Sequence, residues 1–477
     1  MKSTLLLTAA CILAASQAFA QTSFTHVECG TEFTMALRSD STLWACGNNG
    51  NGQLGVDTGI ISSDTLLQAA SGNKWIYAAT GGFHAAAIAA DSTLWGWGYN
   101  GDGELGIGIA NQPDAPQQVS TTTHWRYVSA GEAHTLAIRN DGTLWGTGYN
   151  ADAELGTGDT MQQLSYVQIG TDNTWKTVSA GGVFSLGVKE DGTLWGWGYN
   201  GDGELGMNNT TPNIFAPTQI GTATDWVMAS AGFEFSLAMK TDGTIWSAGF
   251  NGNKQLGRIT AGAGDSVFAQ IGTASNWKYI AAASSFGFGI QQDGTLWGWG
   301  FNTYGQLGIV PPSASSAVTQ VGTDTTWCYV SGADGANTGS SILGLHSAGF
   351  KHGVSGLCTT GADYIGQTGN GSIIAPPSAQ FGFNCSIGES TTVVSNVEKN
   401  EELVTVYPNP AYEVLHIDGI ATTGDYRIVN MVGAEVQKGS LAKGVNDLSI
   451  QGFVPGVYLV TINTAEGQRY NVRFVKQ

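Results

Sequence analysis

Apolar and polar positions along most of the chain alternate in short runs, with no helical period. Trp175–Ala180, Phe184–Lys189 and Thr193–Gly198 each read as a brief strand rich in aromatic, β-branched and small residues. Asp191-Gly192 separates the last two and predicts a hairpin turn, because Gly accepts positive φ. A further short strand is marked just before the unit by Gln168-Ile169-Gly170, an element that recurs at Gln219, Gln270 and, as Gln-Val-Gly, at Gln320. The whole pattern repeats. The segment Asp191-Gly-Thr-Leu-Trp195-Gly-Trp-Gly-Tyr-Asn200-Gly-Asp-Gly-Glu-Leu-Gly206 has relatives along the chain, with a signature Trp at Trp44, Trp95, Trp145, Trp195, Trp246 and Trp297. The intervals are 51, 50, 50, 51 and 51 residues, and an eroded seventh copy at Leu357–Gly369 puts Cys358 in the Trp place. Four strands per unit, seven times over, predict an all-β chain whose main body is a seven-bladed β-propeller.

The ends of the array favour a closed ring. The first unit starts at Phe24, where later units have Trp75, Trp125 and Trp175, and lacks a preceding Gln-Ile-Gly strand. An orphan copy follows the seventh unit at Gln380-Phe381-Gly382, and its expected role is to complete the blade begun by the N-terminus. Two residues past each signature position stand Cys46, Trp97, Thr147, Trp197, Ala248, Trp299 and Thr360. Large residues in units two, four and six predict blades interleaved big against small, with these Trp side chains in the core.

Composition narrows the function. Lys2, an apolar core from Leu5 to Ala15 and the small-x-small site Ala18-Phe-Ala20 read as a signal peptide over 1–20, with the mature chain starting at Gln21. A lipoprotein reading through Cys11 would need a shorter apolar core and Leu in place of Thr8. No later apolar stretch is long enough to span a bilayer. Export permits disulfides; the mature chain keeps Cys29, Cys46, Cys328, Cys358 and Cys385, enough for at most two bridges of open connectivity. The net charge is −18, and residues 21–388 hold 27 acids against 11 bases, which argues against nucleic acid as a partner.

Past a polar linker at 389–403, residues 404–477 change character. Val414–Ile417, Tyr426–Val429 and Val457–Ile462 read as strands, with turns at Asp418-Gly419, Thr423-Gly424 and Glu466-Gly467, and predict a small antiparallel β-sandwich.

Two resemblances follow from these residues. Gly47-Asn-Asn49-Gly-Asn-Gly52-Gln-Leu-Gly55, Gly249-Phe-Asn251-Gly-Asn-Lys-Gln255-Leu-Gly257 and Gly300-Phe-Asn302-Thr-Tyr-Gly305-Gln-Leu-Gly308 resemble the signature of the regulator of chromosome condensation repeat family. Ala130-Gly131-Glu-Ala-His134-Thr-Leu-Ala-Ile138 is similar to that family's second hallmark. The resemblance covers residues 24 to about 385 and implies a seven-bladed propeller that binds partners through its faces and loops. The family's best-known activity, nucleotide exchange on a nuclear GTPase, does not suit an exported acidic chain. The tail carries Tyr407-Pro408-Asn409-Pro410, Gly433, Gly456 with Tyr458, and a terminal Lys476, and resembles the C-terminal sorting domain of the type IX secretion system. That implies passage to the periplasm, recognition by the secretion machinery, then release or surface attachment.

Three groups of residues invite chemistry. Asn100-Gly-Asp102-Gly-Glu104, repeated at Asn200, Asp202 and Glu204 and weakened at Asn150, Asp152 and Glu154, has the alternating oxygens of a calcium loop without its bidentate Glu at position twelve; a tight turn is the expected role. His84 and His134 share a slot that Phe33, Phe184, Phe235 and Phe286 fill elsewhere, which marks it as packing. The irregular stretch from Ser331 through Asp334 and Asn337 to His346, Lys351 and His352 interrupts the repeat and reads as a modified closing blade. No cofactor and no catalytic residue is expected. The expected function is non-catalytic binding of a protein partner at the cell surface or outside the cell; a glycan-binding adhesin, marked by exposed aromatics on one rim, or less readily an enzyme, is the alternative.

Overall fold

The computed structural model describes residues 23–56, 59–113, 115–119, 124–309, 314–333, 345–371, 380–387, 405–407, 414–420, 422–430, 435–454, 456–465 and 469–476. The chain divides into two compact units, 1–388 and 389–477. In the first, seven four-stranded antiparallel sheets succeed one another as blades one to seven, at 24–69, 75–118, 125–168, 175–219, 226–270, 277–320 and 327–387. Each blade uses its strands in chain order. Blade four runs Trp175–Ala180, Phe184–Lys189, Leu194–Tyr199 and Asn213–Gln219. First strands from all seven blades line a central cavity of about 110 Å³. The Asp191-Gly192 turn forms as expected: Gly192 takes φ of 80°, and a Cβ there would collide with Thr224 O.

The blade boundaries differ from the sequence expectation. Gln-Ile-Gly does not open a unit; it closes the preceding one as its outer strand, with Gln168 opposite Trp145 and Gln219 opposite Trp195. Gln68 and Gln118 hold the same places opposite Trp44 and Trp95, so blades one and two own outer strands whose Ile-Gly has been lost. Blade one is therefore already complete. The Gln380 strand instead pairs with the third strand of blade seven, Gln380 facing Gly361, and is no register copy of the element it resembles.

The ring closes through side chains at the seam between blades one and seven. Cys29 N–H donates to Ser331 Oγ (3.2 Å), Thr34 Oγ1 donates to Gln367 O (2.7 Å), and Tyr329 O–H donates to Glu28 Oε1 (2.8 Å). Blade seven is held internally by a disulfide between Cys358, in the signature Trp place, and Cys385 on the outer strand. Cys29 and Cys46 are buried thiols that donate to Ser331 O and Gln367 O.

The alternation of large and small is real and has a complement. Trp97, Trp197 and Trp299 are fully buried, and their indole N–H groups donate to Gln53 O, Glu154 O and Gln255 O of the preceding blade. Where blades three, five and seven have Thr147, Ala248 and Thr360, the slot is filled from the outer strand by Tyr166, Phe268 and Phe383. Each ring lies on the glycine that ends the preceding loop: Gly55, Gly106, Gly156, Gly206, Gly257 and Gly308 in turn, where any Cβ would strike it.

In the second unit, Thr405–Tyr407, Val414–Ile420 and Gly444–Ser449 form one sheet. Glu435–Leu441, Gly424–Asn430, Gly456–Thr464 and Arg469–Lys476 form another, and both sheets are antiparallel. Leu415, Ile417, Ile428, Val460 and Ile462 are fully buried in their common core. Asp418-Gly419 is not a turn; the strand runs through it to Ile420.

Because the disulfide closes a span of 27 residues, replacing Cys385 with Ser is expected to destabilise the propeller by about 3 kcal/mol. The readout is a lower melting temperature together with faster hydrogen exchange confined first to 380–387; an unchanged melt would show that the bridge contributes nothing.

Candidate binding face

Alternating strand direction gives the ring two unlike faces. At one lie the turns between second and third strands and the starts of the first strands. There each signature Trp is locked by a short relay: Asp191 Oδ1 accepts from Thr193 N–H and Oγ1–H, and Thr193 Oγ1 accepts from Trp195 Nε1–H (2.7 Å). The same relay holds Trp44, Trp95, Trp145, Trp246 and Trp297. These Trp rings are half-buried, and those of Trp44, Trp145, Trp195 and Trp246 carry a cation: Lys189 Nζ lies 3.4 Å over Trp195 and Arg139 3.8 Å over Trp145. Most of the propeller's bases sit at this end. Arg38, Arg139, Lys189, Lys240 and Lys351 end second strands, Arg126, Lys176 and Lys278 are second residues of first strands, and Lys74 immediately precedes one.

The opposite face carries the turns after first strands and the long loops after third strands, with Lys254 and Arg258 its only bases. Arg258 is paired to Asp265 (2.9 Å). Each loop is folded by one side chain: Asn100 Oδ1 accepts Leu105 N–H, Asn200 Oδ1 accepts Leu205 N–H, and Asn49, Asn150, Asn251 and Asn302 do likewise. Glu104 Oε2 accepts Asp102 N–H, a role that Gln53, Gln255 and Gln306 fill in other blades. The Asn and Glu oxygens among the candidate calcium ligands are thus turned onto backbone donors of their own loop, and among the described residues no group of three His, Cys, Asp or Glu side chains is arranged to hold a metal.

The histidines join blades. His84 Nε2–H donates to Thr135 Oγ1 (2.9 Å), which donates to Glu104 O; His134 reaches Ser185 and Glu154 O in the same way. His346 proves to be the third member, donating to Thr34 across the seam (2.8 Å). Burial pushes all three imidazoles down to about 3, so they are neutral. The irregular stretch is not one cluster. Lys351 pairs with Asp324 (2.6 Å) at the basic end, exposed His352 is fixed there through its N–H to Thr326 O, and Asp334 and Asn337 lie outside the described residues.

What the sequence reading passed over is a sector of the second face. Blades two, three and four alone combine Tyr, Asp and Glu in the loop: Tyr99 with Asp102 and Glu104, Tyr149 with Asp152 and Glu154, Tyr199 with Asp202 and Glu204. Tyr99 is 40% and Tyr149 37% exposed, and the Tyr99 and Tyr199 rings lie against Gly101 and Gly201. Burial foremost, then Glu154, Asp152 and Asp102, raise the Tyr149 phenol; burial and four carboxylates led by Asp202 raise that of Tyr199. The available signal was the departure of three adjacent copies from Asn51, at a position the fold leaves open, and from Gln53, whose acceptor role Glu keeps.

In the tail, Tyr458 is buried with its hydroxyl donating to Val454 O (2.6 Å), Gly456 pairs with buried Lys476, and Tyr407 ends a strand opposite His416. Pro408, Asn409, Pro410 and Gly433 lie outside the described residues, as do Ala18, Ala20 and Gln21. No helix among the described residues is long and apolar enough to cross a membrane.

These features define an all-β repeat propeller joined to a C-terminal β-sandwich. Residues 40–88, 91–138, 191–239 and 293–328 match the regulator of chromosome condensation (RCC1) repeat, and 24–53, 125–153 and 175–204 match a second description of that repeat. Residues 405–477 match the secretion system C-terminal sorting domain. The chain is thus an RCC1-repeat propeller with a type IX sorting tail, which directs it to the cell surface or the extracellular space. The ultraviolet-B receptor UVR8 of Arabidopsis thaliana is 33% identical over 98 residues, 20% of this chain and 22% of that one. The chain therefore spans about a fifth of that relative's length. Human WBSCR16 superposes with TM-score 0.60 at 19% identity, covering 65% of this chain and 85% of its own. Yeast RCC1 (Prp20), solved bound to Kap60, gives 0.58 at 20% identity over 65% and 78%. At these identities the structural likeness concerns the fold.

Burial lifts the Glu104 and Glu154 carboxyls from 4.5 to about 7 and that of Glu204 to about 8. An acid whose pKa rises on folding makes the native state the better proton binder, so stability falls as pH climbs from about 4.5 through 7 to 8. Replacing all three with Gln, the residue blades one, five and six use there, is expected to flatten that dependence and stabilise the chain at pH 8 by up to about 3 kcal/mol per site. Melting curves at pH 5 and 8 check this; parallel curves for both proteins would refute it.

Proposed function

We propose that this is a secreted, non-catalytic scaffold that binds a protein partner through the propeller face carrying the third-strand loops. Export follows a signal peptide at 1–20 and recognition of a tail at 404–477 by the type IX machinery, joined to the propeller, 21–388, by the linker 389–403. The observation that carries the reading is the set of solvent-facing tyrosines Tyr99 and Tyr149, with half-buried Tyr199 beside them, at positions where the fold accepts Asn48 or Phe250 equally well. Rigid aromatic side chains with few rotatable bonds are effective anchors at protein interfaces. The groups that suggested chemistry, His84, His134, His346 and the loop Asn and Glu residues, spend their hydrogen bonds on the scaffold. The same aromatic arc also favours a second reading, a glycan-binding adhesin.

The test is capture of proteins from the producing cell's own culture medium and surface by the purified full chain, in parallel with a glycan array. A partner retained by the chain and lost with Tyr99→Ala/Tyr149→Ala, yet kept with Lys74→Glu on the opposite face, is the expected outcome. Saturable binding to one glycan class with no protein captured would overturn the protein-partner reading in favour of the adhesin.

A further inference from the structure

The link between blades one and two departs from the links that follow blades three to six. After those outer strands Gly170, Gly221, Gly272 and Gly322 turn the chain in the left-handed region, with φ of 64°, 63°, 62° and 65°. The indole N–H groups of Trp175, Trp226, Trp277 and Trp327, which open the next blades, are then buried without a hydrogen-bond partner. In the first link Ala70 takes the place of the glycine at φ of 44°, a conformation that costs an L-residue more than it costs Gly. Three hydrogen bonds hold it there. Ala70 N–H donates to Gly55 O (2.9 Å), and Ala70 O accepts from Trp75 Nε1–H (3.1 Å) and from Asn73 N–H (3.4 Å).

Beside this link a cavity of about 640 Å³ opens between blades one and two, a volume in the range of small-molecule sites. Trp95, Val56, Ala70 and Pro116 give it an apolar wall, and Gln68 and Asn73 contribute side-chain amides. Those amides make no hydrogen bond to any described residue, and no charged side chain lines the cavity. A second departure from the repeat bears on the same place. Arg38, Arg139, Lys189 and Lys240 each end a second strand and lie over the signature Trp of their own blade. Ala89 and Gln291 stand at that position in blades two and six, and of the two rings so left without a base, Trp95 reaches the cavity.

The lining selects a ligand class. With no charge in the wall, an anion or a cation would find no counter-charge, and a wholly apolar ligand would leave the two amides idle. Each amide offers both donors and an acceptor, which suits hydroxyl groups. A pyranose ring combines the two requirements: its C–H groups lie flat on an indole by dispersion, and its hydroxyl edge pairs with amides. We propose that the cleft between blades one and two is a binding site for a neutral pyranose sugar, stacked on Trp95 and hydrogen-bonded by Gln68 and Asn73. The site includes neither Tyr99 nor Tyr149 and does not depend on the protein-binding reading.

The probes are methyl β-glucopyranoside, methyl α-mannopyranoside and methyl β-galactopyranoside, with adenosine as a planar heteroaromatic comparison, each titrated into the full chain by saturation-transfer difference NMR. The expected result is saturable binding of at least one pyranoside at about 1 mM, with transfer strongest at the C–H protons of one ring face. Gln68→Ala/Asn73→Ala is expected to weaken it about tenfold or more, while Gln168→Ala/Asn173→Ala, the same positions after blade three, changes it less than about twofold. Unchanged melting temperatures would show that both variants keep the fold. No saturation by any pyranoside up to about 50 mM, equal loss in the two variants, or binding of adenosine with no sugar bound would overturn the proposal. Loss of the sugar with Tyr99→Ala/Tyr149→Ala would put it on the loop face and overturn the proposal in favour of the adhesin. Sugar binding that survives this tyrosine variant, while a captured protein is lost with it, supports both the cleft and the protein-binding face.

Discussion

Neighbouring blades approach so closely at the end of each loop that an aromatic ring of one lies directly on a glycine of the other. Gly55 meets Trp97, Gly156 meets Trp197 and Gly257 meets Trp299, while Gly106, Gly206 and Gly308 meet Tyr166, Phe268 and Phe383. Much of the repeat follows from this contact. The loop must turn tightly enough to present a bare Cα, so Asn binds the Leu N–H five residues on and Leu plugs the blade interior. The Trp alternation follows too: where the third strand supplies a small residue, the outer strand supplies the ring, and the same slot is filled in each case.

The constraint explains what was legible in advance. Residues under the contact recur at every copy, so their fifty-residue spacing exposed the fold, the strand limits and the buried Trp97, Trp197 and Trp299. The phase of the repeat was not legible, because the outer strand and the next first strand are linked by only a few residues and a periodic sequence has no marked origin. Nor was the closure. Gln380-Phe-Gly copies the letters of the Gln-Ile-Gly strand but faces Gly361, not Cys358, and a sequence match cannot report register. His346 was hidden for a similar reason, since the insertion before it broke the spacing that would have set it beside His84 and His134. The loop residues of blades two to four form the tight turn their sequence predicts, with Asn and Glu oxygens committed to backbone; what the spacing does not reveal is the exposure of Tyr99 and Tyr149 beside them.

The two ends of each blade divide the labour. At one, Asp–Thr–Trp relays fix the hairpins, and Arg38, Arg139, Lys189 and Lys240 roof four of them. At the other, the scaffold asks for only a few residues per loop, and the freed positions in three adjacent blades have become aromatic and acidic. A disc with one stabilised end and one variable end suits an exported protein that must first survive transit under the direction of its sorting tail and then engage something outside the cell.

The central claim is that scaffold and binding positions are separable within a single loop. Melting temperatures of two triple variants of the full chain test it most directly: Asp102→Asn/Asp152→Asn/Asp202→Asn against Asn100→Ala/Asn150→Ala/Asn200→Ala. The account predicts that the first melts within a degree or two of the parent, while the second, which leaves three buried Leu N–H groups unpaired at about 1–3 kcal/mol each, melts far lower. Equal destabilisation by both would contradict it, because the acids would then be part of the scaffold.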